Sequence, residues 1–297
     1  MNRSQAWRGA LVPLLLFLLT LGFTLVIGVQ YHISFYDVRL PAGQGFWAFL
    51  WGHPGAWTWG LAYALPLLGI LLVHEMGHFL ACRSHGIEAT LPHFLPAPTL
   101  IGTFGAFIKI RSPFTSKRAL FDVGLAGPLA GFLAALPVIA IGISRSRLVA
   151  AGTLVGGVTL GEPLLFTLLG RLVLGAVPAG RELLVHPMAF AGWFGLLATA
   201  FNLFPIGQLD GGHILYALAG KRRAYVVGIA AVVVLVALGL LFWQGWLLWA
   251  LLAALIGLRH PPIFEAQRLD RGRLALAAVA LLVFALSFTP APLSLAP

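Results

Sequence analysis

Apolar residues fill this chain in long blocks, and polar residues gather mainly between the blocks. About 20 apolar residues on a helix cross the ~30 Å hydrocarbon core of a bilayer. By that measure the chain predicts spans at 11–29, 58–82, 119–143, 188–218, 224–242, 244–258 and 274–289. The sixth is short and reads as half of a hairpin with the fifth. Gly45–Trp51 and Glu162–Val177 are apolar or amphipathic but lack the length of a crossing, so they are expected at the membrane interface. One stretch changes period. Gly102 to Pro113 ends in alternating apolar and basic residues, the pattern of a strand. Thr99–Ile110 is too apolar for a solvated loop and too short to span, which suggests a hairpin at the membrane surface. The loops 30–57, 83–118 and 144–187 are too short and apolar for a separate folded domain. The expectation is an all-α polytopic membrane protein of six to seven transmembrane helices. Residues 1–297 would form a single membrane-embedded domain, with no soluble domain.

Composition agrees with the pattern. The chain is 60% hydrophobic and 9% charged, with mean hydropathy +0.94, against about a quarter charged residues in soluble domains. A net charge of +10 raises nucleic acid as a candidate partner. No basic stripe interleaves with exposed aromatics, however, so nucleic acid is not an expected partner. The basic residues cluster at span ends instead. With the N-terminus inside, only Arg39, Arg145, Arg147, Arg171 and Arg181 fall outside, five of 19 Lys and Arg. That bias predicts a cytoplasmic N-terminus in a multi-pass protein, most simply of a bacterial cell membrane. No small-residue cleavage site follows the first span, which is therefore expected to stay as an anchor. A lone cysteine, Cys82, excludes an intramolecular disulfide and any CxxC metal site.

The candidate chemistry lies inside the second span, as His74-Glu75-Met76-Gly77-His78. On a helix the two histidines stand one turn apart, so both imidazoles point the same way and can bind one Zn²⁺. Glu75 is placed to take the proton of a water activated there. HExxH also occurs by accident, but ionisable groups are costly in lipid and mark functional sites by default. A working zinc needs a third ligand. Of nine acidic residues, Asp37, Glu88, Glu162, Glu182, Glu265 and Asp270 read as loop or interface residues, leaving Asp122 and Asp210 beside Glu75. Asp122, at the start of the third span, is expected to pair with a nearby Lys or Arg. Asp210 lies in Asn202-Leu203-Phe204-Pro205-Ile206-Gly207-Gln208-Leu209-Asp210-Gly211-Gly212-His213, where Pro205 and three glycines loosen the fourth span. Spacing alone leaves two readings open, a metal ligand on a broken helix or a proline kink capped by an aspartate. His213 is open too, between support for a metal and an interfacial cap.

HEMGH followed far downstream by NLFPIGQLDGG resembles the site-2 protease family of intramembrane zinc metalloproteases. Its second motif is N-x-x-P-x-P-x-L-D-G. Asn202, Pro205, Leu209, Asp210 and Gly211 match, and Gly207 stands where the second proline is usual. Gly127-Pro128-Leu129-Ala130-Gly131 resembles the family's small-residue motif; as a GxxxG it reads as close helix packing. The resemblance runs from about Leu71 to His213 and implies a minimal member without a PDZ domain. Its catalytic core would be about 58–220, with extra C-terminal helices over 224–289. It further implies one zinc on His74, His78 and Asp210, Glu75 as general base, and Asn202 on the substrate carbonyl or oxyanion. The hairpin before the third span would be a re-entrant β-hairpin able to hold a substrate strand. The implied activity is cleavage of the transmembrane segment of another membrane protein, after a first cut by another protease. The rival from another class is a metal transporter using the same cluster as a transit site. That would call for repeated halves and ligands along a path, and the sequence has neither. A second rival is a soluble-facing zinc peptidase that acts on lipidated peptides.

Overall fold

A computed structural model of the chain describes residues 3–152, 158–258, 260, 261, 263 and 268–295; Glu265, expected in a loop or at the interface, lies outside them. It is mainly helical. Helix α1 spans Arg3–Tyr36, and a short α2, Phe46–Gly52, leads through a 3₁₀ turn, Pro54–Gly60, into α3, Leu61–Ser84. Helix α4 is Lys117–Ser144, α5 is Leu164–Leu174, α6 is Pro187–Leu203 and α7 is Asp210–Ala219. The C-terminal helices are α8, Lys221–Leu241, α9, Gly245–Ile256, and α10, Arg271–Ser287. The predicted interfacial segments appear as α2 and α5. Trp47 and Trp51 on α2 are 56% and 71% exposed, as suits a membrane interface.

Among the described residues, four helical stretches are long and apolar enough to cross a membrane: Leu11–Tyr36, Pro54–Ser84, Lys117–Ser144 and Lys221–Leu241. The expected six to seven spans are therefore not reached by length. The main reason lies in the predicted span 188–218. It is two helices, because the chain turns at Phe204–Leu209 and α6 alone has only 17 residues. Helix α9, with 12 residues, packs back on α8 as the expected hairpin.

Helix α4 occupies the centre, packed against α3, α6, α7, α5 and α10. The fully buried side chains include Tyr63, Leu67, Leu120, Phe121, Ile139, Trp193 and Trp246. The outer faces stay apolar: Val233 and Leu240 on α8 are 62% and 72% exposed, the reverse of a water-facing helix and suited to lipid. On the α1 wall, Thr20 and Thr24 return their hydroxyls to carbonyls one turn back. The hydroxyls are thereby satisfied without water.

The strands form three small antiparallel pairs. β1, His93–Pro96, pairs with β2, Thr103–Phe107, in the register His93 to Phe107 and Phe94 to Ala106. β3, Arg147–Ala150, pairs with β5, Arg181–Leu184, and β4, Val158–Leu160, with β6, Leu293–Leu295. The β1–β2 hairpin, anticipated over 102–111, is held further out by an Ala89–Ile110 bridge and by Arg111 N–H donating to the Glu88 carbonyl at 2.8 Å.

Candidate metal centre

The site begins with the i, i+4 geometry of α3. His74 and His78 present their rings to α4 with Nε2 atoms 3.1 Å apart. Asp210, the first residue of α7, places Oδ2 3.5 Å from His74 Nε2 and 3.3 Å from His78 Nε2. One ligand atom from each residue lies within 4.8 Å of the others, so the three could hold one metal ion. His74, Glu75 and His78 are buried and Asp210 is nearly so. His74 lies ten residues and His78 six residues before Ser84, the last residue of α3. At 1.5 Å per residue, that puts the donors roughly 10–15 Å inside the end of the helix.

The donor chemistry fits zinc. His78 Nδ1 lies 2.7 Å from the Val123 carbonyl of α4. A carbonyl only accepts, so Nδ1 carries the proton and Nε2 keeps its lone pair for a metal. With His74 Nε2 and one carboxylate oxygen, this makes a three-donor set with room for a fourth position, the pattern of a catalytic zinc.

Two backbone features bring these donors together. The first is the break between α6 and α7. Ile206 N–H donates to Phe204 O at 2.8 Å and Leu209 N–H to Ile206 O at 3.0 Å, closing a tight turn that starts α7 at Asp210. Gly207, at φ 49°, takes a left-handed conformation that the usual second proline of the motif could not adopt. It also lies against the Gly257 backbone, where a Cβ would collide. The second is the α4 face. A Cβ on Gly127 would overlap the His78 ring itself, and one on Gly131 would come within 3.0 Å of His74 Nδ1. The GxxxG stretch, read from sequence as helix packing, thus packs specifically on the two imidazoles. Nothing in its spacing announces that.

Glu75 turns toward the hairpin. Its carboxylate lies near the Ile108 backbone and within Coulombic range of His78 and Asp210. The Asn202 amide, in the last turn of α6, stands 3.2 Å from His74 Nε2, beside the donor cluster. His213 is not one of the three donors; its Nδ1 is 2.9 Å from His260 Nε2. Asp122 pairs as expected with a cation, but from a distant helix. Arg273 of α10 holds both its oxygens, at 2.8 and 2.5 Å, and His85 Nε2 approaches at 2.9 Å. Asp270 caps α10 and contacts the same arginine. His260 and Arg273 are contacts that span prediction missed, since neither lies near the motifs in sequence.

A helical protein with membrane-length helices, two buried histidines on one of them and an aspartate brought to them by the break between two others is an integral membrane protein of the metallopeptidase class. The chain belongs to peptidase family M50, whose family model matches residues 62–243. It is 32% identical to "Probable zinc metalloprotease EGY1, chloroplastic" of Arabidopsis thaliana, over 94% of this chain and 53% of that protein. The rice EGY1 (Oryza sativa subsp. japonica) is 36% identical over 57% of the chain and 30% of the relative. The Arabidopsis EGY2 is 36% identical over 56% and 30%. The chain thus spans about half the length, or less, of the curated relatives it matches.

Proposed function

We propose that this protein is an intramembrane zinc endopeptidase that cuts a peptide bond in or near the transmembrane segment of another membrane protein, after a first cut made elsewhere. The observation that carries the proposal is the convergence of Asp210, from α7, on the buried turn of α3 that carries His74, Glu75 and His78. Family membership and the zinc metalloprotease names of the relatives support the metal and the reaction class. Zinc held by His74, His78 and Asp210 would supply Lewis acidity, lowering the pKa of a water and polarising a carbonyl.

The remaining chemistry falls to side chains. Glu75 takes the proton of the attacking water and returns it to the leaving amine. The Asn202 amide, 3.2 Å from His74 Nε2, is placed to hydrogen-bond the scissile carbonyl or its oxyanion. A substrate helix hides its carbonyls in its own hydrogen bonds, so it must unwind before attack. The β2 edge away from β1 carries no ladder partner among the described residues, and the Ile108 backbone just beyond it lies near Glu75. An unwound segment pairing with that edge would recover lost hydrogen bonds in a place where lipid offers none. In a bacterial cell membrane, the charge bias would put the N-terminus and the metal-site end in the cytoplasm.

The decisive test compares wild type with Glu75→Gln on a panel of single-span substrates, with and without a zinc chelator. The amide is nearly isosteric and should retain zinc while cleavage falls by about 10²–10⁴-fold. Cleavage at the wild-type rate by the variant would remove Glu75 as the base and overturn the mechanism.

A further inference from the structure

A recess lies beside the metal centre, between α7, α8 and the residues Leu258 and His260. Its volume is about 350 Å³, and Tyr216, Lys221, Arg222, Tyr225 and His260 supply its polar lining. Pockets for small ligands start at roughly this size. Among the described residues the lining holds two cations, two phenols and an imidazole, and no carboxylate. Neither Lys221 nor Arg222 forms an ion pair among the described residues, where the five carboxylate contacts go to His74, His78, His85 and Arg273.

The backbone adds to this field. Lys221 is the first residue of α8, whose Gly220 cap contributes no side-chain hydrogen bond and whose first turn has no acidic residue. A helix N-terminus carries partial positive charge and unsatisfied N–H groups, so Lys and Arg there are unfavourably placed unless an anion joins them. Tyr216 accepts a hydrogen bond from the Ile263 N–H at 3.1 Å, which leaves the phenolic proton to donate. His260 is fixed by its contacts with His213 Nδ1 at 2.9 Å and the Pro261 carbonyl at 2.7 Å. Lys221, Arg222, the Tyr216 hydroxyl and the α8 N-terminus thus gather donors and positive potential on one recess, with His260 as a fixed wall.

Its depth narrows the ligand. Helix α8 is one of the candidate membrane spans, Lys221–Leu241, so its first turn lies where lipid headgroups lie. Basic recesses between membrane helices at that level suit acidic headgroups. We propose that this recess binds the phosphate of an acidic phospholipid headgroup. Gly207 and Gly212, from the turn that presents Asp210, form the opposite wall. A bound headgroup would therefore brace the turn carrying the third metal donor. A soluble phosphate ester offers the same chemistry and is separated by the test.

The test uses the purified full chain in detergent, wild type against the Lys221→Gln/Arg222→Gln double variant. Each is titrated with short-chain phosphatidylglycerol, short-chain phosphatidylcholine and glycerol phosphate. Binding is read by native mass spectrometry and by the shift in unfolding temperature. The wild type should bind phosphatidylglycerol about 25-fold more tightly than the variant, at about five-fold per cation. Phosphatidylcholine should bind more weakly, and Lys221→Arg should retain binding. Zinc content and helicity should be equal in the two proteins, which separates loss of the recess from misfolding. Equal phosphatidylglycerol affinity in wild type and double variant would overturn the proposal. Glycerol phosphate competing at the same affinity would overturn the lipid assignment and give the recess to a soluble ester. None of these readouts depends on proteolysis, so the recess can fail while the peptidase reading stands, and the reverse.

Discussion

Gly127→Ala adds one methyl group in the middle of α4, a change that would ordinarily favour a helix by about 1 kcal/mol. Here the new Cβ would fall on His78 Nε2, Cδ2 and Cε1. The ring has little room to retreat. Nδ1 is tied to the Val123 carbonyl at 2.7 Å, and on its other side stand His74 Nε2 at 3.1 Å and Asp210 Oδ2 at 3.3 Å. Either α3 and α4 separate, or the imidazole swings away from the metal position. Overpacking of a close helix contact costs about 1–3 kcal/mol, and displacing a ligand's supports lowers metal affinity on the order of 10–100-fold. The expected result is a folded protein with zinc affinity reduced by that factor and cleavage reduced at least as much. Zinc is measured by elemental analysis after dialysis against a graded chelator. Two controls calibrate the reading. Gly131→Ala, whose Cβ would stand 3.0 Å from His74 Nδ1, should be milder. Gly69→Ala, with nothing within 4 Å of its Cβ, should behave as wild type. If Gly127→Ala holds zinc as tightly as Gly69→Ala, the glycine face of α4 does not support the ligands.

Three further outcomes follow from the same geometry. His74→Ala, His78→Ala and Asp210→Ala should each drop zinc from near one per chain to a small fraction; full retention in Asp210→Ala would point to a different third ligand. Proline at Ala106, which faces Phe94 across the hairpin, removes a strand donor and should depress cleavage with zinc unchanged. Helix-breaking residues in the substrate span should speed cleavage, and if neither change alters the rate, β2 does not hold substrate. Cysteines at the exposed Thr115 and Ala179, near opposite ends of α4, should label from opposite sides of the membrane, and the native Cys82 is fully buried and silent. Labelling from one side would refute α4 as a crossing.

Local chemistry was readable along the chain wherever it depends on near neighbours. Blocks of apolar residues announced the membrane helices, and the i, i+4 spacing of His74 and His78 placed both rings on one face before any fold was known. Alternation after Gly102 marked the hairpin, although the ladder itself stops at Phe107 and resumes only as the Ala89–Ile110 bridge. Hydropathy alone joined α6 and α7 into one span, because Phe204, Ile206 and Leu209 keep the stretch apolar; Pro205 and Gly207 marked a weak point there without saying how far the chain would turn. That turn converts one expected span into α6 and α7, and it swings Asp210 onto His74 and His78. Tertiary structure also decided what the α4 glycines do, since a small residue signals close approach without saying to what. The partners of Asp122 and His213 follow the same rule: Arg273 lies 151 residues from Asp122, and His260 lies 47 from His213. Helical periodicity reports only contacts within a turn or two, whereas a metal centre is assembled from three points that only the packing of α3, α4 and α7 brings within reach.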